Sequence, residues 1–187
     1  MQKVSRYVFV AVFLLAACLG GLAQEGKMSL SATAFGTSTQ LGRMFNVNID
    51  INSYSTPEDQ RTLLEAFNKG GNDAMVDALS KMPARGRIST PGTLGYDVKY
   101  IRVWQTPTGR KFRLVTDRIM TFGEVWRDSR STDYSLSAAE IELSNEKGKS
   151  TGTLLPACQV KLNKQNELEI ETYQNPWRLD NFINWNK

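Results

Sequence analysis

Carboxylates are the side chains of this chain that could do catalytic chemistry, because the sequence contains no histidine. Without histidine there is no Ser-His or Cys-His nucleophile pair, and most zinc sites are excluded. Asp97, Asp117 and Glu124 lie on or beside one predicted hairpin. Two carboxylates that face each other about 5–10 Å apart can hydrolyse a glycosidic bond. A small carboxylate-dependent hydrolase is therefore the alternative function, although salt bridges to nearby arginines explain these acids better. We assign no catalytic residue.

Thiol and phosphate-loop chemistry have little support in the sequence. Cys18 falls in a predicted export segment, so Cys158 is the only thiol expected in the folded domain, which excludes a disulfide framework. Cys158 lies on the apolar side of a predicted strand with no activating group nearby in sequence, which predicts a buried and unreactive thiol. The segment Gly92–Gly95 lacks the glycine spacing and the lysine of a phosphate loop. We predict neither a cofactor nor a metal.

A basic segment favours binding over catalysis. Residues 85–130 contain ten basic and four acidic side chains. Four of the basic ones flank a predicted turn, where a hairpin would bring them together: Arg102, Arg110, Lys111 and Arg113. Like charges held side by side repel one another unless acids neutralise them, water screens them or an anion binds between them. Acids in the C-terminal third could provide this neutralisation: Glu140, Glu142, Glu167, Glu169 and Glu171.

The anion-binding hypothesis names a class of partner. The candidates are an anionic glycan, a lipid headgroup or an envelope protein, whereas predicted export makes nucleic acid an unexpected partner. The candidate binding residues are the same four basic side chains. We predict a non-enzymatic envelope or secreted binding module.

These residues are positioned by a predicted central hairpin. Its strands are Tyr96–Gln105 and Arg110–Phe122, and the turn between them is Thr106-Pro107-Thr108-Gly109. Proline and glycine at these positions favour a short connection between antiparallel strands. Both strands carry apolar residues on both faces, which predicts a central position with a second layer over part of each face.

The first 23 residues predict export. Lys3 and Arg6 precede an apolar run at residues 8–17, which is too short to span a bilayer. The small residues that follow predict cleavage before Gln24 and a periplasmic or secreted protein of bacterial type. The alternative is a lipoprotein anchored through Cys18, because Leu-Ala-Ala-Cys resembles a lipidation signal. No other apolar run is long enough to cross a membrane.

The rest of the chain predicts one α+β domain. We divide the chain into a signal peptide at residues 1–23, a loose N-terminal arm at 24–44 and the domain at 45–187. Without Lys3 and Arg6, 21 basic residues face 19 acidic ones, so the mature protein is close to neutral.

The predicted domain has about seven mostly antiparallel strands in a curved sheet or half-open barrel. The clearest strand is 45–51, where apolar and polar residues alternate strictly, and a short strand near 32–35 is possible within the arm. A helix pair broken at Gly70-Gly71 follows the first long strand, and a short C-terminal helix starts near Asn175-Pro176. The core should include Ile49, Val98, Val115, Ile141 and Val160, with Phe67 and Leu79 from the helices against them.

Overall fold

The structure is a computed structural model that describes residues 26–121, 134–164, 168–171 and 176–186. This part of the chain contains nine strands, one α-helix and a short 3-10 helix at Ser38–Gln40. The strands are β1 Met28–Gly36, β2 Met44–Ile51, β3 Gly86–Ser89, β4 Tyr96–Thr106, β5 Gly109–Thr116, β6 Leu136–Ser144, β7 Thr151–Leu162, β8 Leu168–Glu171 and β9 Trp177–Asn184. The helix α1 spans Pro57–Lys81. The predicted signal peptide and Glu124 lie outside the described residues, as does the end of the predicted strand Arg110–Phe122.

Eight of the strands close into an antiparallel barrel. They follow the order β1-β2-β3-β4-β5-β6-β7-β9, and β9 pairs with both β7 and β1 to complete the ring. The ninth strand, β8, extends from β7 outside that ring. The single β-rich α+β architecture is as predicted, but the barrel is closed and not half-open.

The prediction of a C-terminal helix is wrong. The segment is a strand, and this strand explains why the barrel is closed. Residues 177–184 form β9, in which Trp177 and Leu179 alternate with exposed or partly exposed neighbours. Leu179, Phe182 and Ile183 have helical spacing, but the backbone groups of β1 and β7 pair with this segment as a strand. The strand therefore fills the gap that a helix would have left open.

The segment predicted as a loose N-terminal arm contains a full strand. β1 covers residues 28–36, and all of its residues except Gly36 pair with β2. Its inward positions include Leu30, Ala32 and Ala34, whereas serine and threonine occupy positions between them. Small alanines inside the barrel give a weak hydrophobic alternation, so the sequence showed only a short strand near 32–35.

The barrel interior is filled by side chains. Ile49, Val98 and Ile141 are buried there together with Phe112 and Trp177. A barrel of eight strands is just wide enough for side chains to fill it. The predicted burial of these three aliphatic residues is confirmed, and no room for a ligand remains along this part of the axis.

A second apolar layer lies between α1 and the outer face of the barrel. Leu63, Met75 and Leu79 of the helix are in one buried cluster with Val115 and Val160 of the strands. Phe67 is partly buried against the same cluster. The prediction that both faces of the central hairpin are covered is confirmed, with the barrel interior on one side and α1 on the other.

The helix begins as predicted but is one bent element. Thr56 accepts a hydrogen bond from the Asp59 N–H at 3.1 Å, and the Asp59 carboxylate accepts one from the Thr56 N–H at 2.7 Å. The two predicted helices are joined through Gly70 and Gly71, where the dihedral angles are not helical. Gly71 has φ of 63°, which favours glycine. Among the described residues, no helix has the length and apolar character needed to span a membrane.

The predicted hairpin turn is confirmed. Thr106 pairs with Gly109, so only Pro107 and Thr108 lie between β4 and β5. A Cβ atom on Gly109 would lie 1.9 Å from the Leu143 carbonyl oxygen. Glycine is therefore required here, because β5 and β6 approach each other too closely for any side chain.

Candidate functional site

The structure divides the four predicted binding residues between two faces of the sheet. Arg102 lies directly opposite Arg113 in the register of β4 and β5. Lys111 and Arg113 contact the same outer-face acid, Glu140. Arg110 lies instead on the inner face, one position before Lys111 and two before the buried Phe112. The four residues do not form one cluster.

An acid neutralises the two cations on the outer face of β5. The Glu140 carboxylate accepts hydrogen bonds from Arg113 Nε at 2.7 Å and Nη2 at 2.5 Å. The Lys111 ammonium lies 3.1 Å from the same carboxylate. Burial alone would raise the pKa of Glu140, but Arg113 and Lys111 outweigh it and hold that pKa below its usual value. This arrangement is the structural explanation that the sequence offered for the basic segment.

Arg102 is also occupied by neighbouring side chains. Its guanidinium lies 4.8 Å from the ring centroid of Trp104, and Arg113 lies 5.3 Å from the same ring. Burial raises the pKa of the Tyr100 hydroxyl, and the positive charges of Arg102 and Arg113 partly offset this effect. Beneath these side chains, the space enclosed between α1 and the barrel is about 20 Å³, which holds about one water molecule. This region is a packed interface and not a ligand pocket.

Arg110 differs from the other three residues. Its guanidinium lies 5.4 Å from the ring centroid of Phe112, and its Nη2 donates to the Met28 sulfur at 3.9 Å. No carboxylate of the described residues forms an ion pair with it. A guanidinium has five N–H donors, and a thioether sulfur is a weak acceptor. Arg110 therefore has hydrogen-bonding capacity that these neighbours do not use.

Arg110 lines an open cleft at one end of the barrel. The cleft has a volume of about 540 Å³ and lies between the β6–β7 turn and the end of β9. We call it the barrel-end cleft. Apolar and polar side chains share its lining, and those relevant to binding are Leu30, Leu143, Ser144, Ser150, Phe182 and Asn184. The volume is within the range of about 300–1,000 Å³ that is typical of small-molecule sites.

The turn that borders the cleft carries charges of both signs. Glu146 and Lys147 line the cleft, and Glu146 is paired with Lys149 at 2.6 Å. Both members of this ion pair are 66% exposed, so water screens their charges strongly. Arg110 is half-buried, so its charge is screened less than theirs. It is therefore the principal electrostatic feature of the cleft.

The acids considered for hydrolysis are engaged elsewhere. Asp97 pairs with Arg87 at 2.9 Å, and Asp117 pairs with Arg118 at 3.1 Å. Glu124 lies outside the described residues. Cys158 is buried, and this burial raises the pKa of its thiol to about 12. The prediction of a buried thiol is confirmed, and at neutral pH this thiol stays protonated.

Sequence reasoning missed the apolar lining of the cleft and the separation of Arg110 from its neighbours. The lining comes from β1, β6 and β9, and β9 was predicted to be a helix. The separation had a signal in the sequence, because Arg110 is two residues before Phe112 and four before Leu114. Side chains alternate along a strand, so these three residues share a face. Arg110 should therefore have been assigned to the apolar face.

No protein-family model matches this chain, and neither a curated protein nor a solved structure matches it significantly. What the protein does must therefore be inferred from its own residues and geometry.

Proposed function

We propose that this protein is a non-enzymatic, exported binding module that holds an anionic ligand in the barrel-end cleft. Export comes from the signal-peptide pattern of residues 1–23. The site comes from Arg110, one of the four basic residues predicted to bind an anion. The remaining three support the fold of the outer face and are not part of this site.

One observation carries the proposal: Arg110 is half-buried in an open cleft and lacks a carboxylate partner among the described residues. A half-buried charge is unfavourable unless it is hydrogen-bonded or paired. The ring of Phe112 supplies part of the compensation, because cation–π contacts are worth about 0.5–2 kcal/mol. An anionic ligand would supply the rest through charge-assisted hydrogen bonds.

The alternative function, a carboxylate-dependent hydrolase, has weaker support. It requires two carboxylates facing a cleft, and Asp97 and Asp117 each form an ion pair with an arginine. Glu146, the acid that lines the barrel-end cleft, is exposed and paired with Lys149. An acid with so much contact with water lacks the apolar surroundings that a general acid needs.

The experiment is an NMR titration of the ¹⁵N-labelled protein with benzenesulfonate, a monoanion with a compact apolar ring. We expect the largest shifts at backbone amides around the cleft, at Leu30, Ser144 and Asn184. Arg110→Gln should weaken binding at least tenfold, which corresponds to about 1.4 kcal/mol. The matched control is Lys111→Gln, which removes the neighbouring charge on the other face and should leave the affinity unchanged.

Two results would overturn the proposal. The first is that no chemical shift changes around the cleft, even at benzenesulfonate concentrations that would saturate binding elsewhere on the protein. The second is equal loss of affinity in the Arg110 and Lys111 variants, which would indicate general charge attraction. The thermal midpoint of each variant checks that it is folded. Arg110→Lys provides a second variant, which keeps the positive charge but not the planar guanidinium.

A further inference from the structure

We propose that the ligand is a single-chain amphipathic carboxylate, with its head at Arg110 and its apolar body along Leu143 and Phe182. This inference rests on the proposed function and gives its ligand a chemical class. It combines three features of the barrel-end cleft. These are one arginine without a carboxylate partner among the described residues, an apolar floor, and a packed barrel interior that closes the inner end of the cleft.

The charges of the cleft favour a head with a single negative charge. Arg110 provides one half-buried positive charge, and Lys147 on the turn is exposed. Glu146 lies on the same turn, and because it and Lys147 are exposed and opposite in sign, they offer a second negative charge on the ligand little net attraction. A carboxylate also matches the geometry of a guanidinium, which can donate two parallel hydrogen bonds to it.

The floor of the cleft favours an apolar body behind that head. Leu30, Leu143 and Phe182 line the cleft, and Phe182 packs partly against the barrel core. Leu143 and Phe182 are only partly buried, so part of their apolar surface remains in contact with water. An apolar ligand that covered them would remove this surface from water, which is favourable in proportion to the area buried.

The packed interior determines where such a body can lie. The cleft is continuous with Leu30, which belongs to the barrel core, and that core is filled by buried side chains such as Phe112. A chain cannot pass further along the barrel axis without displacing them. It must lie in the cleft between the β6–β7 turn and the end of β9, in a space of about 540 Å³. This space suits one short chain and not a polymer or a lipid with two chains.

The test is a calorimetric series with butanoate, hexanoate, octanoate and decanoate, measured below their aggregation concentrations. We expect the affinity to rise two- to fourfold for each added methylene, because a fully buried methylene is worth about fourfold. Arg110→Gln should weaken every member of the series by a similar factor and leave the dependence on chain length unchanged. Two further probes are 1-octanol, which has no charge, and octyl phosphate, which carries close to two, and both should bind more weakly than octanoate.

A substitution in the floor of the cleft separates the apolar contact from the head contact. Phe182→Ser should reduce the gain per methylene and leave butanoate binding unchanged, and the thermal midpoint of the variant checks that it is folded. The matched control is Leu94→Ser, because Leu94 is 87% exposed on the β3–β4 turn and does not line the cleft. It should leave the whole series unchanged.

Each result bears on a different claim. Binding that depends on Arg110 but not on chain length would overturn the amphipathic class and leave the anion-binding function in place. Tighter binding of octyl phosphate than of octanoate would overturn the single charge, and equal binding of 1-octanol would overturn the role of the head. If no carboxylate and no benzenesulfonate bound, both this inference and the proposed function would be wrong.

Discussion

Replacing Glu140 by glutamine should destabilise the protein and make its stability less sensitive to acid. The substitution keeps the size of the side chain but removes the negative charge that Arg113 and Lys111 share. Arg113 would keep its hydrogen bond to the Leu168 carbonyl oxygen at 2.6 Å, which ties β5 to β8. It would lose the charged acceptor of its Nε and Nη2 groups.

The expected size of the effect follows from the exposure of the pair. The Arg113 side chain is 17% exposed and that of Glu140 is 28% exposed. Exposed ion pairs contribute about 0–1 kcal/mol, whereas removing one partner of a buried pair costs about 3–5 kcal/mol. This pair is between the two limits, so we expect the free energy of unfolding to fall by about 2 kcal/mol. For a domain of this size, that corresponds to a decrease of about 4–8 °C in Tm.

The pH dependence has a defined sign. Arg113 and Lys111 hold the pKa of Glu140 below its usual value of 4.5 in the folded protein, despite the opposite effect of burial. The ionised carboxylate therefore stabilises the fold fully above pH 4.5, and this contribution is lost as the pH falls through the lower folded-state pKa. The glutamine variant has no such titration. The stability difference between wild type and Glu140→Gln should shrink as the pH decreases from 6 to 3.

Urea denaturation at several pH values measures this difference. Glu142→Gln is the matched control, because Glu142 lies two residues further along β6 and is exposed, with no ion pair to another described residue. It should change the free energy of unfolding by less than about 0.5 kcal/mol. A Glu140→Gln effect no larger than that of the control, or one that does not change with pH, would refute the reasoning.

Two further predictions concern the attachment of α1 and the maturation of the chain. The Asn72 side chain accepts a hydrogen bond from the Val160 N–H at 2.8 Å and donates one to the Val160 carbonyl oxygen at 3.1 Å. Asn72→Ala should therefore lower the free energy of unfolding by about 1–3 kcal/mol in chemical denaturation, whereas Asn68→Ala at an exposed helix position should not, and equal effects would contradict this role. The intact mass of the exported protein should correspond to a chain that begins at Gln24, and a mass with acyl groups on Cys18 would favour the lipoprotein alternative.

Local patterns predicted the strands that have large apolar residues on one face. Residues 45–51 alternate strictly, and β2 covers Met44–Ile51. The hairpin of β4 and β5 was predicted for the same reason, together with a proline–threonine turn that ends in a glycine. In these segments the side chains, the turn residues and the backbone pairing all favour the same structure. The agreement explains why a single sequence was sufficient for them.

Closure of the barrel depended on information that is not local. β1 has alanines at two of its inward positions, and β9 has apolar residues at both strand and helix spacing. Each segment alone is ambiguous, and pairing with each other and with β7 resolves the ambiguity. The register of β1 with β9 shifts between Ser31 and Thr33, and Asn181 has φ of 55°. Such a bulge relieves the mismatch between two strands, and it has no clear signal in the sequence.

The barrel-end cleft depends on the same closure, and so does the special environment of Arg110. On an open sheet, the inner face beside Phe112 would end in solvent, and Arg110 would be one more exposed cation beside Lys111. The closed ring brings Leu30 of β1 and Phe182 of β9 to the same cleft as Arg110, although they are distant in sequence. The cleft then combines an apolar floor with a charge that lacks a carboxylate partner in the described structure. A cluster of charges in sequence is therefore a poor guide to an anion site, because the strand alternation and the ring closure decide which charge remains available to bind a ligand.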